Sequence, residues 1–138
     1  MSKSSEQAIA TPNQHDQQLN LDSQQLALQI ATAAEDKKAH DIVLLKVTEV
    51  SYLADYFVIV TGYSRTQLNA IAESIEERLE TKYNLHPVRV SGKKEGDWIV
   101  QDYGEVIVHS FLPEAREYYN LEAFWGHAER IEFISQPS

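Results

Sequence analysis

Residues 98–111 read WIVQDYGEVIVHSF, and this stretch decides the fold because it holds two strand patterns around one turn. Residues 98–102 and 105–111 are rich in the β-branched and aromatic side chains that favour strands. The Tyr-Gly pair at residues 103–104 separates them, and a loop of two residues is typical of a β-hairpin. The sequence therefore predicts two adjacent antiparallel strands here.

Both faces of this hairpin are largely apolar. A two-residue loop sets the cross-strand pairs, which would be Asp102 with Glu105, Val100 with Ile107 and Trp98 with His109. The opposite face would then hold Ile99, Val106 and Val108. Because large apolar strand faces are rarely left open to water, we expect helices or a partner on each side of the hairpin.

Two helices are predicted upstream of the hairpin, each from a capping-box spacing. Asp22 with Gln25 begins the first helix, which should end near Lys38. Ser64 with Gln67 begins the second, in which apolar residues recur on one face: Leu68, Ile71, Ala72, Ile75 and Leu79. Its outer face is acidic and carries Glu73, Glu76, Glu77 and Glu80.

The remaining elements are shorter. Apolar runs predict further strands at residues 41–47, 56–61, 86–90 and 130–134, and Pro113 should open a third helix that ends near Trp125. This order predicts a single α+β domain, residues 22–138, with helices packed on a mixed sheet. Residues 1–21 are mostly polar, and we expect them to form a disordered N-terminal tail.

Composition excludes several classes of protein. The chain of 138 residues has no cysteine, so thiolate chemistry and a disulfide scaffold are excluded, and a cytoplasmic location is expected. No apolar run is long enough to cross a bilayer, so no membrane partner is expected. With 12 basic and 21 acidic residues the formal charge is −9, which should repel nucleic acid and attract basic surfaces.

No motif in the chain predicts catalysis or a cofactor. The five histidines lack ligand spacing, so no metal site is expected. The glycine motifs that bind nucleotides do not occur, and no serine lies in a nucleophile-elbow motif. The turn at residues 91–96 contains two lysines and could hold an anion, although Glu95 and Asp97 offset their charge. We therefore expect neither a cofactor nor an enzyme activity.

Carboxylates and aromatic residues near the hairpin favour a binding function instead. Asp102 and Glu105 would repel each other across an exposed turn, which favours a cationic partner, although a turn carboxylate often bonds its own backbone. Tyrosine and tryptophan are common interface anchors. Five of them lie in the hairpin or after it, at Trp98, Tyr103, Tyr118, Tyr119 and Trp125. The alternative is that Trp98, Tyr118 and Trp125 belong to the core, which we expect of Trp125. The sequence thus predicts a module that binds a basic protein surface.

Four stretches carry a resemblance to a known family. They are ADYFVIVTG at residues 54–62, GDW at 96–98, DYGEVIVH at 102–109 and REYYNLE at 116–122. Together they resemble the Iojap-type ribosomal silencing factors, the RsfS or YbeB family of bacteria and organelles. The resemblance covers about residues 26–133 and implies a fold akin to the nucleotidyltransferases without their activity. The catalytic carboxylate pair of those enzymes is missing after Ser64.

The resemblance also implies a mechanism that needs no chemistry. It implies binding to the large ribosomal subunit through ribosomal protein L-fourteen, on the face that meets the small subunit. A domain bound there would block subunit joining and repress translation when nutrients are limiting. The resemblance further implies a homodimer in the free state. The acidic charge argues against direct, sequence-specific binding of nucleic acid.

The partner-binding residues carried over from the family motif are Trp98, Asp102, Tyr103, Gly104, Glu105, His109, Arg116 and Tyr119. Glu105 stands where the family commonly has aspartate, so the charge is kept on a side chain one methylene longer. Two other classes stay open on the sequence: a small enzyme of nucleotidyltransferase type, and a general adaptor that links other proteins.

Overall fold

The computed structural model describes residues 21–48 and 53–135 of the chain. Its helices are α1 (Ser23–Glu35), α2 (Arg65–Tyr83), α3 (Pro113–Tyr119) and α4 (Leu121–Phe124). Its strands are β1 (His40–Lys46), β2 (Tyr56–Thr61), β3 (Arg89–Ser91), β4 (Trp98–Asp102), β5 (Val106–Phe111) and β6 (Glu129–Ile131). The tail predicted at residues 1–21 lies, apart from Leu21, outside the described residues.

The strands form one mixed sheet in the order β3-β4-β5-β2-β1-β6. β2 and β5 run parallel at its centre, whereas the other neighbouring pairs are antiparallel. All six residues of β2 are buried, which explains why that strand reads as a continuous apolar run. The predicted α+β architecture around a mixed sheet is confirmed.

The first face of the sheet is covered by α1 and α2. Both helices begin as their spacing predicts, because Asp22 accepts a 2.7 Å hydrogen bond from the Gln25 amide and Ser64 a 3.0 Å bond from the Gln67 amide. The apolar face of α2 is fully buried, with Leu68, Ile71, Ala72, Ile75 and Leu79 all at 0% exposure. These side chains pack on the sheet residues of the main core, such as Val58, Ile99 and Val108.

The predicted pairing across the hairpin is wrong by two positions. Trp98 pairs with Phe111, Val100 with His109 and Asp102 with Ile107. The loop still has two residues but lies one position later, at Gly104 and Glu105, because the Tyr103 amide donates a hydrogen bond to the Val106 carbonyl and Gly104 adopts a positive φ of 87°. Asp102 and Glu105 therefore do not face each other, and their expected mutual repulsion is not present. The expected side-chain faces are correct, because a shift of two residues preserves the alternation.

Several predicted boundaries also differ. The third helix is broken at Asn120, which has a left-handed φ of 47° and divides it into α3 and α4. The first helix ends at Glu35 rather than near Lys38, which itself has a positive φ of 66°. β3 begins at Arg89 rather than residue 86, since Pro87 cannot donate to the strand ladder. β6 spans Glu129–Ile131 instead of residues 130–134.

Candidate functional site on the second sheet face

The second face of the sheet is covered by α3 and α4, which have only 7 and 4 residues. Its core is smaller than that of the first face and consists of Leu45, Val47, Ala54, Phe57, Ile59, Phe111 and Ala115. Trp98, Leu121 and Trp125 are only partly buried against this core. Because these two helices are short, large aromatic rings remain at the surface in the part of the chain that the structure describes.

The path of the chain after β5 brings α3 back over the start of β4. The Leu112 amide donates a 3.0 Å hydrogen bond to the Asp97 carbonyl, which ties the beginning of α3 to the residue before β4. Pro113 occupies the first turn, where its missing amide hydrogen costs nothing. Tyr119 at the end of this helix consequently lies on Trp98.

Trp98 is the centre of the ring contacts. Its ring centroid lies 4.5 Å from that of Tyr119 and 5.0 Å from that of Phe111, its cross-strand partner. Tyr118 packs edge-on against Tyr119 at 5.0 Å and is 81% exposed, while Tyr119 is 47% exposed. The ring of Trp98 is therefore held between two aromatic neighbours beneath a solvent-facing tyrosine pair.

The ring contacts continue across the face to α4. His109 packs on Phe57, Phe57 packs on Trp125 at 5.4 Å, and Trp125 packs on Phe124, which is 76% exposed. We define the aromatic surface as the rings on the outer side of this face: Trp98, Tyr118, Tyr119, Phe124 and Trp125. The buried rings of Phe57, His109 and Phe111 form its floor. Trp125, expected to be core, is half-buried and belongs to this surface.

A hydrogen bond orients Trp98 on this floor. Its indole Nε1–H donates to Nδ1 of His109 at 3.2 Å, so His109 is neutral with its proton on Nε2. Burial lowers the pKa of His109 to about 4, which keeps the ring neutral at physiological pH. Among the described residues Nε2 has no hydrogen-bond acceptor. The indole N–H of Trp98 is thus already hydrogen-bonded within the protein, and the rest of the Trp98 side chain is apolar.

Arg116 holds the two short helices in place. Its guanidinium donates two hydrogen bonds to Glu122, at 2.9 and 3.1 Å, and one to the Thr61 hydroxyl at the end of β2, at 2.8 Å. The Arg116 side chain is only 12% exposed. Its hydrogen bonds lower the pKa of the Glu122 carboxyl. Arg116, carried over as a partner-binding residue, is committed to contacts within the chain, which suit a role in positioning α3 and α4.

The hairpin tip lies at the other end of β4, four residues from Trp98 or about 13 Å along the strand. Asp102 accepts a 2.8 Å hydrogen bond from the Gly104 amide, so this turn carboxylate serves its own backbone. Glu105 is exposed, whereas Tyr103 packs against the core of the first face. Burial, with the Glu76 carboxylate nearby, raises the pKa of Tyr103.

The eight expected site residues therefore fall into separate groups. Trp98, His109 and Tyr119 come together, Arg116 supports them, and the four residues of the hairpin tip lie elsewhere. Sequence reasoning missed Phe57, Phe111 and Phe124 as parts of the site. The alternation of β5 could have placed Phe111 beside His109, but no spacing reveals that Phe57 and Phe124 join them from other elements.

Two further features are absent from residues 21–48 and 53–135. No group of three metal-ligating side chains is present there. No helix in these ranges is long and apolar enough to span a membrane.

Exposed aromatic rings on one half-covered sheet face of a small α+β domain are typical of binding modules. Residues 20–138 match the family model described as ribosomal silencing factor during starvation. The chain therefore belongs to the ribosomal silencing factor family.

Individual relatives agree with this assignment. The chain is 40% identical over 107 residues to the ribosomal silencing factor RsfS of Bacillus subtilis, covering 77% of this chain and 90% of that protein. It is 33% identical over 98 residues to the mouse protein named mitochondrial assembly of ribosomal large subunit protein 1, covering 70% and 43%. The chain spans less than half the length of this mitochondrial relative and of the chloroplast Iojap protein of Arabidopsis thaliana.

The fold is shared with a solved structure. A crystal structure of a protein from Chromobacterium violaceum superposes with a TM-score of 0.74 at 31% sequence identity. The superposition covers 84% of this chain and 95% of that one.

Proposed function

We propose that this chain binds the large ribosomal subunit through ribosomal protein L-fourteen and acts there as a steric block. Bound on the face that meets the small subunit, it prevents subunit joining in the cytoplasm and represses translation when nutrients are limiting. Family membership supports the ribosomal role, and the name of the mouse relative supports the large subunit. The block needs only occupied space, so no catalytic step is proposed.

The observation that carries the proposal is the aromatic surface. Trp98 is half-buried, fixed by two rings and by His109, and flanked by the exposed Tyr118 and Tyr119. A rigid ring already oriented in the free protein loses little entropy on binding, and such rings supply most of the energy of many interfaces. Since the indole N–H is already bonded, Trp98 contributes apolar contact rather than a hydrogen bond.

Charge supports the same partner. The formal charge of −9 favours encounter with a basic ribosomal protein and disfavours random binding to ribosomal RNA. The exposed hairpin tip, with Asp102 and Glu105, is proposed as a second and weaker contact at the rim. When the protein is free of the ribosome, we propose that the aromatic surface mediates a homodimer, because a patch of exposed rings is commonly covered by a partner.

Sucrose-gradient sedimentation tests the proposal. Wild-type protein mixed with purified large subunits should travel with them and should reduce the yield of joined ribosomes when small subunits are added. Trp98→Ala should lose about 2 kcal/mol of binding free energy or more, about thirtyfold, while remaining folded. Tyr83→Ala is the control, because Tyr83 is a partly buried ring packed against the first face.

Two results would contradict the proposal. Wild-type protein that stays at the top of the gradient does not bind the large subunit. Trp98→Ala protein that is folded by circular dichroism and binds as well as Tyr83→Ala protein does not use the aromatic surface.

A further inference from the structure

A groove borders the aromatic surface beside α3. It has a volume of about 490 Å³ and runs between α3, the beginning of α2 and the turn before β4. Asp97, Glu114 and Arg65 line it together with Tyr118 and Tyr119. Because Tyr119 also contacts Trp98, the groove is continuous with the surface that is proposed to bind the ribosome.

The charged side chains of this groove are unpaired. Within residues 21–48 and 53–135, Asp97, Glu114 and Arg65 form no side-chain ion pair or hydrogen bond. Two carboxylates and one guanidinium leave an excess negative charge in the groove. Glu122, by contrast, is paired with Arg116 and is not available to a partner.

The fold fixes the positions from which these charged side chains project. Asp97 is anchored through its carbonyl, which accepts from the Leu112 amide at 3.0 Å. The stem of Arg65 lies on Gly96, where an added Cβ would come within 3.0 Å of the Arg65 Cδ. Glu114 lies in the first turn of α3. The groove therefore has a defined shape, although its charged ends have no partner in the chain.

The two tyrosines add a second feature that favours a cation. Their rings meet at 89° with centroids 5.0 Å apart, and Tyr118 is 81% exposed, so its face is open to an incoming side chain. A lysine ammonium or an arginine guanidinium is attracted to the face of such a ring and to carboxylates beside it. A phosphate group would meet Asp97 and Glu114 as like charges.

We propose that this groove binds a lysine or arginine side chain of the basic ribosomal protein that the aromatic surface contacts. The proposal rests on the proposed function and adds to it a specificity site, in which Asp97 and Glu114 contact the cation and Tyr118 covers it. A second copy of the chain is a poorer occupant, since it has 21 acidic residues and only 12 basic ones.

Neutralising the carboxylates tests the charge of the occupant. Asp97→Asn combined with Glu114→Gln should weaken binding to purified large subunits about threefold to tenfold at low salt, the range expected for two partly screened ion pairs. The weakening should disappear at high salt. Glu95→Gln combined with Glu117→Gln is the matched control, because it removes the same charge from exposed positions outside the groove, and it should change binding less than twofold.

Three further variants separate a basic side chain from a phosphate group. With a basic occupant, Arg65→Gln should leave binding unchanged or strengthen it. Tyr118→Phe should also bind normally, because a phenyl face still attracts a cation, whereas Tyr118→Ala should weaken binding. With a phosphate occupant, Arg65→Gln would weaken binding and the Asp97→Asn, Glu114→Gln variant would strengthen it, and that result would overturn the proposal.

The remaining outcomes distinguish this inference from the proposed function. If wild type binds, Trp98→Ala weakens binding as expected and the carboxylate variant binds like its control, the groove proposal is wrong and the proposed function stands. If wild type does not bind large subunits at all, both are overturned. If the carboxylate variant changes only the self-association of the free protein, as measured by analytical ultracentrifugation, the occupant is a second copy and not a ribosomal side chain.

Discussion

The two faces of the sheet use similar strand residues but are covered in different ways. The first face meets two helices of 13 and 19 residues, and nearly all of its core side chains are shielded from water. The second face meets helices of 7 and 4 residues and keeps Tyr118, Tyr119 and Phe124 exposed. The length of the covering helices thus decides which face is devoted to stability and which is open to a partner.

The contacts that hold the two covers also differ. α1 and α2 are held chiefly by packed aliphatic side chains. α3 and α4 depend on the polar contacts of Arg116 with Glu122 and Thr61, and the ring of Trp98 depends on His109. Hydrogen bonds to ionisable groups respond to acid, whereas aliphatic packing does not. The second face should therefore be the more sensitive of the two to pH.

The largest expected effect is on the first face. Ile75→Ala removes a fully buried side chain of α2 and should lower the free energy of unfolding by about 2–5 kcal/mol. Urea denaturation measures this loss. At a temperature where the variant stays folded, its affinity for large subunits should equal that of wild type. A folded Ile75→Ala protein with weakened binding would break the division between the faces.

The next effect concerns His109 on the second face. Its pKa is lowered to about 4 in the folded chain, whereas an unfolded histidine has a pKa of about 6.5. Between these values the unfolded state binds more protons, so stability falls as the pH is lowered. Acidification from pH 7 to pH 4.5 should therefore cost wild type about 2–3 kcal/mol more than His109→Phe.

Urea denaturation at the two pH values measures this difference. His86→Gln is the control, because His86 is exposed and its replacement should leave the pH dependence as in wild type. Equal pH dependence in wild type and His109→Phe would mean that His109 is protonated without cost, and that the floor of the aromatic surface is open to water.

A smaller effect is expected for the contact that holds α3 and α4. Glu122→Gln removes a charged acceptor from Arg116 and should lower the free energy of unfolding by about 1–3 kcal/mol at pH 7. The pKa of Glu122 is lowered in the folded chain, so its stabilisation is present above the unfolded pKa and is lost as the pH falls through the folded pKa. The difference between wild type and Glu122→Gln should therefore close in acid.

Glu117→Gln on the exposed side of α3 is the control for this measurement and should match wild type throughout. If Glu122→Gln is as stable as Glu117→Gln at pH 7, the contact with Arg116 does not hold the two helices on the sheet.

The smallest effect is expected at the hairpin tip. Reversing both charges, Asp102→Lys with Glu105→Lys, should change the binding free energy by about 1–2 kcal/mol at most, because exposed pairs are screened. The change should appear mainly in the association rate and its salt dependence, measured by surface plasmon resonance. A loss larger than that of Trp98→Ala would place the partner on the tip and away from the aromatic surface.

Local patterns predicted most of the fold, and tertiary contacts account for the rest. The capping boxes and the spacing of apolar residues in α2 located both long helices, because those signals lie within a few residues of each other. The hairpin was also found, but Gly104 can occupy either position of a two-residue turn, so the register could not be chosen from the sequence. Asn120 offered no local reason to break a helix other than its tolerance of left-handed φ.

The candidate site was predictable only in part, for a related reason. Trp98 and Tyr119 carry the family resemblance, yet their contact depends on the turn that brings α3 back over β4. The backbone bond of Asp102 was one of the alternatives that its turn position suggested. The internal use of Arg116 could not be foreseen, because the sequence does not distinguish a charged side chain that faces a partner from one that faces its own chain.

The order of pairing in the sheet limits when the chain can fold during its own synthesis. Leu44 of β1 pairs with Ile131 of β6, and β2 pairs with β5. Strands that are synthesised early can therefore pair only after later strands have been synthesised. Bringing segments so distant in sequence together costs loop-closure entropy before any contact between them forms. The aromatic surface includes Trp125 and cannot exist on a shorter nascent chain. The complete sheet, and with it the aromatic surface, can therefore form only after the residues of β6, Glu129–Ile131, have been made.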